Sequence, residues 1–304
     1  MNIVGIDIGG TEIKYGLIGE SGEILEKGSM DTQADLGSTI LLEKIYSIVD
    51  SYAHREVGGI AVSSTGQVDG IHGKVIGGIP LIPGWIGTDL VQILEKKYRL
   101  PAVLENDVNC AALGEFWKGA GKGERDFLCL TIGTGIGGGI VIDGDIYRGA
   151  GYAAGEFGHF QIEKNGRVCS CGKRGCYEAY ASTGSLIRLV KEKISLELNG
   201  REIFGMIHRG EREFVEMFDL WCDYITGGLG TLSYIFNPSL IIIGGGVSAQ
   251  GEFLTGRLKE SLDRKIPTNY SRGLNLRAAE LGNDAGILGA TYLLLKKIGK
   301  VEES

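Results

Sequence analysis

One imidazole and three thiols lie close together in the sequence and could hold a metal ion. They belong to His159, Cys169, Cys171 and Cys176. Three cysteines with one histidine are typical of tetrahedral structural zinc, and four protein ligands leave no position for water, so we expect the metal to be structural rather than catalytic. The C-x-C spacing is shorter than the usual C-x2-C. The alternative is a loop of free thiols beside an unrelated histidine.

Two glycine-rich turns could bind phosphate. One runs from Gly9 to Thr11 and the other from Gly133 to Gly139, and each joins two apolar stretches that predict strands. Glycine lets backbone N–H groups approach phosphate oxygens without a side chain in the way. Asp7, at the end of the first strand, could hold hydrated Mg²⁺, and Lys14 adds a positive charge. The pattern favours a nucleotide held in a cleft between the two halves of the chain.

Other interpretations of the glycines fit less well. A P-loop motif is absent from the sequence. Gly133, Gly135 and Gly138 match G-x-G-x-x-G, but a Rossmann fingerprint opens a helix, and here the apolar strand Ile140 to Ile142 follows. Tight turns without a ligand remain the alternative for either turn alone. A third turn, Gly244 to Gly246, could flank an adenosine or be a plain loop between strand and helix.

Several acidic and amide side chains could bind a polar substrate through hydrogen bonds. Glu156 lies three residues before the histidine of the cysteine cluster, and Glu178 lies two residues after its last cysteine. A zinc loop could fix both carboxylates, and carboxylates that accept hydrogen bonds from hydroxyls suit a sugar site. Asn106 and Asp107 follow a predicted strand, although Asp107 could instead be the N-cap of the next helix.

The elements that must position these residues repeat along the chain. The order strand, glycine turn, strand, turn of the first 22 residues returns near residue 127, with an offset of 124 residues (133 − 9). We therefore predict an internally duplicated α/β fold with ligands at the carboxyl ends of its strands. The boundary is predicted near 119–123. The remaining predicted strands lie at 59–62, 102–104 and 240–243, and the helices at 41–52, 108–116, 186–198, 214–235 and 285–297.

Composition excludes several classes of protein. The 304 residues allow about two domains, and a net charge of −7 without a basic stripe argues against nucleic-acid binding. The longest apolar runs, such as Leu240 to Ile243, are far too short to span a membrane. The N-terminus resembles no secretory signal. We therefore expect a cytoplasmic protein whose six cysteines stay reduced.

The motifs together resemble the ROK sugar kinases of the actin-like ATPase superfamily, over nearly the whole chain. The matching segments are Asp7 to Thr11 and Thr131 to Gly139 (phosphate motifs), Glu105 to Ala112 (sugar and catalytic segment), Glu156 to His159 (E-x-G-H), Cys169 to Glu178 (the zinc motif C-x-C-G-x-x-G-C-x-E) and Gly282 to Gly286 (the C-terminal signature).

The resemblance implies a fold and a set of roles. The fold is a duplicated actin-like (ribonuclease H-like) ATPase of two domains around a cleft, residues 1–120 and 121–284, with the helix at about 285–304 packing back on the first. Asp107 is implied as general base, and the sugar would contact Asp107, Gly66, Asn106, Glu156, Glu178 and the zinc ligand His159. ATP and Mg²⁺ would contact Asp7, Gly9, Gly10, Thr11, Lys14, Thr131, Gly133, Thr134, Gly135, Gly137, Gly245 and Gly246.

The implied activity is transfer of phosphate from ATP to a hexose, with glucose 6-phosphate as the expected product and a homodimer or higher homo-oligomer as the expected assembly. An N-acetylmannosamine, fructose or β-glucoside kinase is the alternative. A sugar-responsive repressor of the family is a remote alternative, because the phosphate motif begins at residue 7. A chaperone-type ATPase of the same superfamily is a further alternative, but it would not need the cysteine cluster. Two departures bear on substrate choice: Glu12 is acidic beside the first phosphate turn, and Gly77 to Trp85 lacks the expected asparagine.

Overall fold

The computed structural model describes residues 1–78 and 82–301. Its strands are β1 (Asn2–Ile8), β2 (Glu12–Gly19), β3 (Ile24–Asp31), β4 (Val57–Ser64), β5 (Gln67–Asp69), β6 (Lys74–Gly77), β7 (Ala102–Asn106), β8 (Phe127–Ile132), β9 (Ile136–Ile142), β10 (Asp145–Ile146), β11 (Leu240–Gly244) and β12 (Asn275–Ala278). Its helices are α1 (Gly37–Ser51), α2 (Leu90–Tyr98), α3 (Asp107–Lys118), α4 (Glu178–Ala181), α5 (Thr183–Ile194), α6 (Gly200–His208), α7 (Arg212–Phe236), α8 (Gly251–Lys265), α9 (Thr268–Ser271) and α10 (Ala285–Lys297).

Two five-stranded sheets have the same strand order. The first is β3-β2-β1-β4-β7 and the second is β10-β9-β8-β11-β12. In the first sheet β1 is antiparallel to β2 and parallel to β4, which is parallel to β7. In the second, β8 is parallel to β11, and β11 is parallel to β12. The α/β class and the internal duplication predicted from the repeated glycine turns are therefore confirmed.

The chain divides into two compact units. The first comprises 1–125, 139–154 and 283–304, and the second comprises 126–138 and 155–282. The predicted domains, 1–120 with 285–304 and 121–284, differ from these units mainly because 139–154 belongs to the first.

The core of the first unit is formed by the apolar side chains of its sheet and the helices against it. Helix α1 buries Leu41, Ile45, Ile48 and Val49, the three-and-four spacing that predicts an amphipathic helix. Helices α3 and α10 approach closely at glycines, because a Cβ on Gly289 would collide with the backbone of α3. Packing of this kind fixes both helix starts, which lie beside the predicted site residues.

The predicted glycine-rich turn at Gly133 to Gly139 is shorter than expected. Strand β9 begins at Ile136, so Gly137, predicted to lie in a phosphate-binding turn, is inside a strand. When a partner strand is present, the backbone of a glycine-rich segment can form the hydrogen bonds of a β-sheet instead of those of a turn. Among residues 1–78 and 82–301, every helix is too short or too polar to cross a lipid bilayer.

Candidate active site

Asp107 is the first residue of α3, directly after β7 ends. The N-cap of the helix is Asn106, whose Oδ1 accepts hydrogen bonds from the N–H groups of Val108 at 2.9 Å and Asn109 at 3.1 Å. The alternative in which Asp107 caps the helix is therefore wrong. The amide immediately before the carboxylate is the cap, and Oδ1 of Asp107, inside the first turn, also accepts from the N–H of Val108 at 2.9 Å.

Asn106 also orients Asp107. Its Nδ2 donates to Oδ1 of Asp107 at 2.8 Å and to the carbonyl oxygen of Gly66 at 3.0 Å. The structure thus brings together Gly66, Asn106 and Asp107, three residues predicted to contact one substrate. Burial, and then the negative charge of Asp7, raise the pKa of Asp107 to about 7. A carboxylate with a pKa near neutrality is suited to accept a proton from a hydroxyl.

Asp7 lies near the end of β1, and its side chain is partly buried. Ser63 Oγ donates a hydrogen bond to Oδ1 of Asp7 at 2.5 Å. Burial raises the pKa of Asp7, and the hydrogen bond from Ser63 and the charge of Lys14 only partly oppose this. A Cβ added at Gly286 of α10 would lie 2.7 Å from Cγ of Asp7, so only glycine leaves room for the carboxylate. A partly buried carboxylate beside a phosphate-type turn fits the ligand set of hydrated Mg²⁺.

The first glycine turn is held at its base and exposed at its tip. Gly9 N–H donates to the carbonyl oxygen of Glu12 at 3.0 Å, and Thr32 Oγ1 donates to the carbonyl oxygen of Gly9 at 2.7 Å. Gly10, Thr11 and the side chain of Glu12 are exposed. Lys14 lies on β2 opposite Asp7, and its Nζ donates to Asn283 Oδ1 at 2.9 Å.

The second glycine turn, at 133–135, has the same place between β8 and β9. Gly133 N–H donates to the carbonyl oxygen of Gly135 at 2.9 Å, and the carbonyl oxygen of Gly133 accepts from Thr183 N–H, also at 2.9 Å. Thr134 is exposed at the tip. A Cβ on Gly135 would lie 2.5 Å from Glu178 Oε2, so this turn needs glycine to approach that carboxylate.

The third turn follows β11 and contacts the neighbouring strand. Thr131 of β8 pairs with Gly244 at the end of β11. Gly245 has φ 78°, and a Cβ there would lie 2.5 Å from the carbonyl oxygen of Ile132. Gly246 begins a 3-10 helix that runs to Gln250. Both the positive φ and the close approach explain glycine at position 245.

The four predicted metal ligands converge in the second unit. One ligand atom from each of His159, Cys169, Cys171 and Cys176 lies within 4.8 Å of all the others. Nδ1 of His159 is 3.6 Å from Sγ of Cys169, and the Sγ atoms of Cys171 and Cys176 are 3.7 Å apart. Zn–S bonds of about 2.3 Å and Zn–N bonds of about 2.0 Å in a tetrahedron separate ligand atoms by roughly 3.5–3.8 Å. The donor set therefore fits zinc in both chemistry and spacing.

Glu178 is held between this cluster and the second glycine turn. Its Oε2 accepts from the N–H of Ile136 at 3.0 Å, and its Oε1 accepts from Ser170 Oγ at 2.7 Å. Glu156 is more exposed, with its Oε2 3.8 Å from Nε2 of His159. Two carboxylates of the second unit therefore lie beside the metal ligands. Glu178 is partly buried, and Glu156 is exposed.

A sequence profile of the ROK family matches residues 3–297. The chain belongs to the ROK family. It is 34% identical over 314 residues to a glucokinase of Thermotoga maritima, covering 98% of this chain and 99% of that protein. A β-glucoside kinase of Listeria innocua is 35% identical, with 99% of this chain and all of that protein covered.

The fold is likewise that of ROK kinases. The crystal structure of a ROK family glucokinase from Streptomyces griseus, in complex with glucose and AMPPNP, matches with a TM-score of 0.82 at 33% identity and covers 96% of this chain and 99% of that one. The predicted actin-like fold and the predicted enzyme class, an ATP-dependent sugar kinase, are confirmed.

Some features of this ROK protein were not predicted as functional from its sequence. Glu105 and Arg148 form a buried ion pair next to Asn106, and Ser63 holds Asp7. The strand pairing of Asp7 with Ser63 carried no signal in the sequence, because the two residues are 56 positions apart. In the segment from Gly77 to Trp85 that lacks the expected asparagine, 79–81 lie outside the described residues, and Trp85 Nε1 donates to Ser64 Oγ at 3.2 Å.

Proposed function

We propose that this ROK kinase transfers the γ-phosphate of ATP to the 6-hydroxyl of glucose. The observation that carries the proposal is the carboxylate of Asp107, which Asn106 holds by a 2.8 Å hydrogen bond and whose pKa is raised to about 7. A group of that pKa is ionised often enough near neutral pH to take a proton, and basic enough to do so effectively.

In the proposed reaction Asp107 removes the proton from the sugar hydroxyl as its oxygen attacks the γ-phosphorus. The bond from the γ-phosphorus to the bridging oxygen of ADP breaks, and ADP leaves with that electron pair. Asp7 would hold the Mg²⁺, which when bound supplies charge neutralisation on the phosphate oxygens. Asn106 keeps the carboxylate of Asp107 directed at the hydroxyl, and the carbonyl of Gly66 holds Asn106 in turn.

The nucleotide would be bound by backbone N–H groups of the glycine turns, with Lys14 adding charge. Turn tips that are exposed while their bases are hydrogen-bonded present N–H groups in a fixed arrangement. The proposed contacts are Gly9, Gly10, Thr11, Thr131, Gly133, Thr134, Gly135, Gly137, Gly245 and Gly246. The N–H groups of Gly9 and Gly133 already donate within their turns, so phosphate would be bound by the N–H groups of other turn residues.

The ring hydroxyls of the sugar would form hydrogen bonds with Glu156, His159, Glu178 and Asn106. Zinc on His159, Cys169, Cys171 and Cys176 would fix this region, since Ser170, between two of the ligands, donates to Glu178. The metal would hold structure and take no part in the transfer, because its four ligands come from the protein.

Glucose is the proposed substrate because two of the ROK proteins described above are glucokinases and one was solved with glucose. A β-glucoside is the second candidate, which the Listeria innocua relative favours. N-acetylmannosamine and fructose complete the test set. We further propose a cytoplasmic location, since three reduced thiols are needed for the metal. A homodimer or higher homo-oligomer, which the resemblance to the ROK family implies, is the proposed assembly, and sedimentation equilibrium tests it.

The test is a coupled ADP-release assay across these four sugars, with Asp107→Asn as the matched inactive control. Glucose should give the highest kcat/KM. ATP turnover that is the same with and without any sugar would instead indicate an ATPase of another kind, and sugar binding without turnover would favour a regulator.

A further inference from the structure

Glu105 and Arg148 form a buried ion pair in the first unit. Nε of Arg148 lies 2.6 Å from Oε2 of Glu105, whose side chain is 0% exposed, while that of Arg148 is 16% exposed. The two residues are 43 positions apart, and Arg148 follows the short strand β10. A buried carboxylate without such a partner would be costly, so the two side chains depend on each other.

The other oxygen of Glu105 holds the start of α3. Oε1 accepts hydrogen bonds from the backbone N–H of Asn106 at 2.9 Å and from Nδ2 of Asn109 at 3.0 Å. Asn106 in turn donates to Asp107. A continuous series of hydrogen bonds therefore runs from Arg148 through Glu105 and Asn106 to the carboxylate of Asp107.

We propose that Glu105 and Arg148 are positioning residues, which orient Asp107 by holding Asn106. The inference rests on the proposed function of Asp107 as the base. Asn106 is the cap of α3, the orienting partner of Asp107 and a partner of Gly66, so a shift of its backbone displaces the carboxylate. Misplacement of about 1 Å at a reacting group can cost on the order of a hundredfold in rate.

A glycine makes room for the pair. A Cβ on Gly70 would collide with Oε2 of Glu105 and would lie 2.9 Å from Nε of Arg148. Gly70 does not have a positive φ, so alanine there strains the ion pair rather than the backbone. Gly151, in the same unit, also lacks a positive φ and has no atom within 4 Å of its would-be Cβ. Gly151→Ala is thus a matched control for Gly70→Ala.

The pair also places two opposite charges beside Asn106, the residue before Asp107. The titratable and charged groups that face this region are Asp7 on β1, Cys110 on α3, Glu105 on β7 and Arg148. Replacing Arg148 alone would leave an unbalanced negative charge at Glu105. Replacing both residues by neutral ones would remove the imbalance, and glutamine at 105 can still accept from Asn106 and Asn109.

The experiment measures kcat, the KM for glucose and ATP, the pH profile and Tm for wild type, Arg148→Met, the double variant Glu105→Gln/Arg148→Met, Gly70→Ala and Gly151→Ala. Arg148→Met should lose about tenfold or more in kcat with little change in KM for ATP, and the acid limb of its pH profile should move to higher pH. In the double variant, the acid limb of the pH profile and the Tm should both lie closer to those of wild type. Gly70→Ala should lower kcat as Arg148→Met does, and Gly151→Ala should behave as wild type.

An unmoved acid limb and unchanged kcat in Arg148→Met and Gly70→Ala would overturn the inference, as would a lower Tm without either kinetic change. Such an outcome leaves the proposed base intact, provided that wild type has the acid limb and loses it in Asp107→Asn. Absence of sugar phosphorylation in wild type would overturn the proposed function itself.

Discussion

At the scale of single residues, the substitution Asp107→Asn distinguishes a catalytic role of this carboxylate from a structural one. Asn106 already caps α3, so Asp107→Asn keeps the cap. An amide cannot accept the hydroxyl proton, and we expect kcat to fall by at least about a hundredfold. Nucleotide binding by calorimetry and Tm should stay close to wild type. Near-normal kcat in this variant would leave the reaction without its base.

The pH dependence of the reaction follows from the raised pKa of Asp107. Burial and the charge of Asp7 favour the protonated carboxyl up to a pH of about 7. Activity should therefore fall tenfold for each unit of pH below about 7, because only the ionised form accepts a proton. The same shift makes the folded state lose stability as pH rises from about 4 toward 7, since the unfolded chain ionises first. Measurements of kcat/KM and of Tm from pH 5 to 9 check both signs, and an acid limb centred near pH 4 would contradict them.

Sequence reasoning at this scale named the polar residues at the end of β7 but left open how they interact. The run Glu105 to Asp107 has three polar residues after a strand, and the sequence alone left the cap at Asp107 as an open alternative. The structure assigns the cap to Asn106. The pairing of Glu105 with Arg148 could not be predicted, because it is a side-chain contact between residues 43 positions apart.

At the scale of elements, the zinc loop is the feature most accessible to a simple test. Protein purified without chelator should contain about one zinc per chain by elemental analysis. Cys171→Ser should lose the zinc, lower Tm and raise the KM for sugar, because Ser170 beside it donates to Glu178. Cys222→Ala, a change at a cysteine of α7 outside the cluster, should keep the zinc. A full complement of zinc in Cys171→Ser would contradict the ligand set.

Elements with strong periodicity were predicted closely, and polar or short ones were missed. Helix α7 was predicted at 214–235 and is found at Arg212–Phe236. Helix α8 was missed because only Leu254, Leu258 and Leu262 mark its apolar face within a polar sequence. Helix α6 carries a capping box of Asn199 and Glu202, a signal that could have revealed it. Strand β12 has four residues with little burial, too few to form a recognisable pattern.

At the scale of the whole molecule, the repeated sheet order explains why the duplication was visible in the sequence. The turn at Gly9 and the turn at Gly133 each follow the central strand of a sheet, and each must bring backbone close to its surroundings. A Cβ would lie 2.9 Å from the carbonyl oxygen of Glu12 at Gly9 and 2.5 Å from Glu178 Oε2 at Gly135, so both turns need glycine for the same physical reason. The sequence contains no comparable pattern to indicate that 139–154 belongs to the first unit, because that assignment depends on which elements these residues pack against.

The most direct test of the account is the identity of the product formed from ATP and glucose. ³¹P and ¹H NMR of the reaction mixture should show glucose phosphorylated on its 6-oxygen, in amounts equal to the ADP released, and Asp107→Asn should form this product at least about a hundredfold more slowly. Phosphate on another oxygen of glucose, or ADP release without any phosphorylated sugar, would contradict the account.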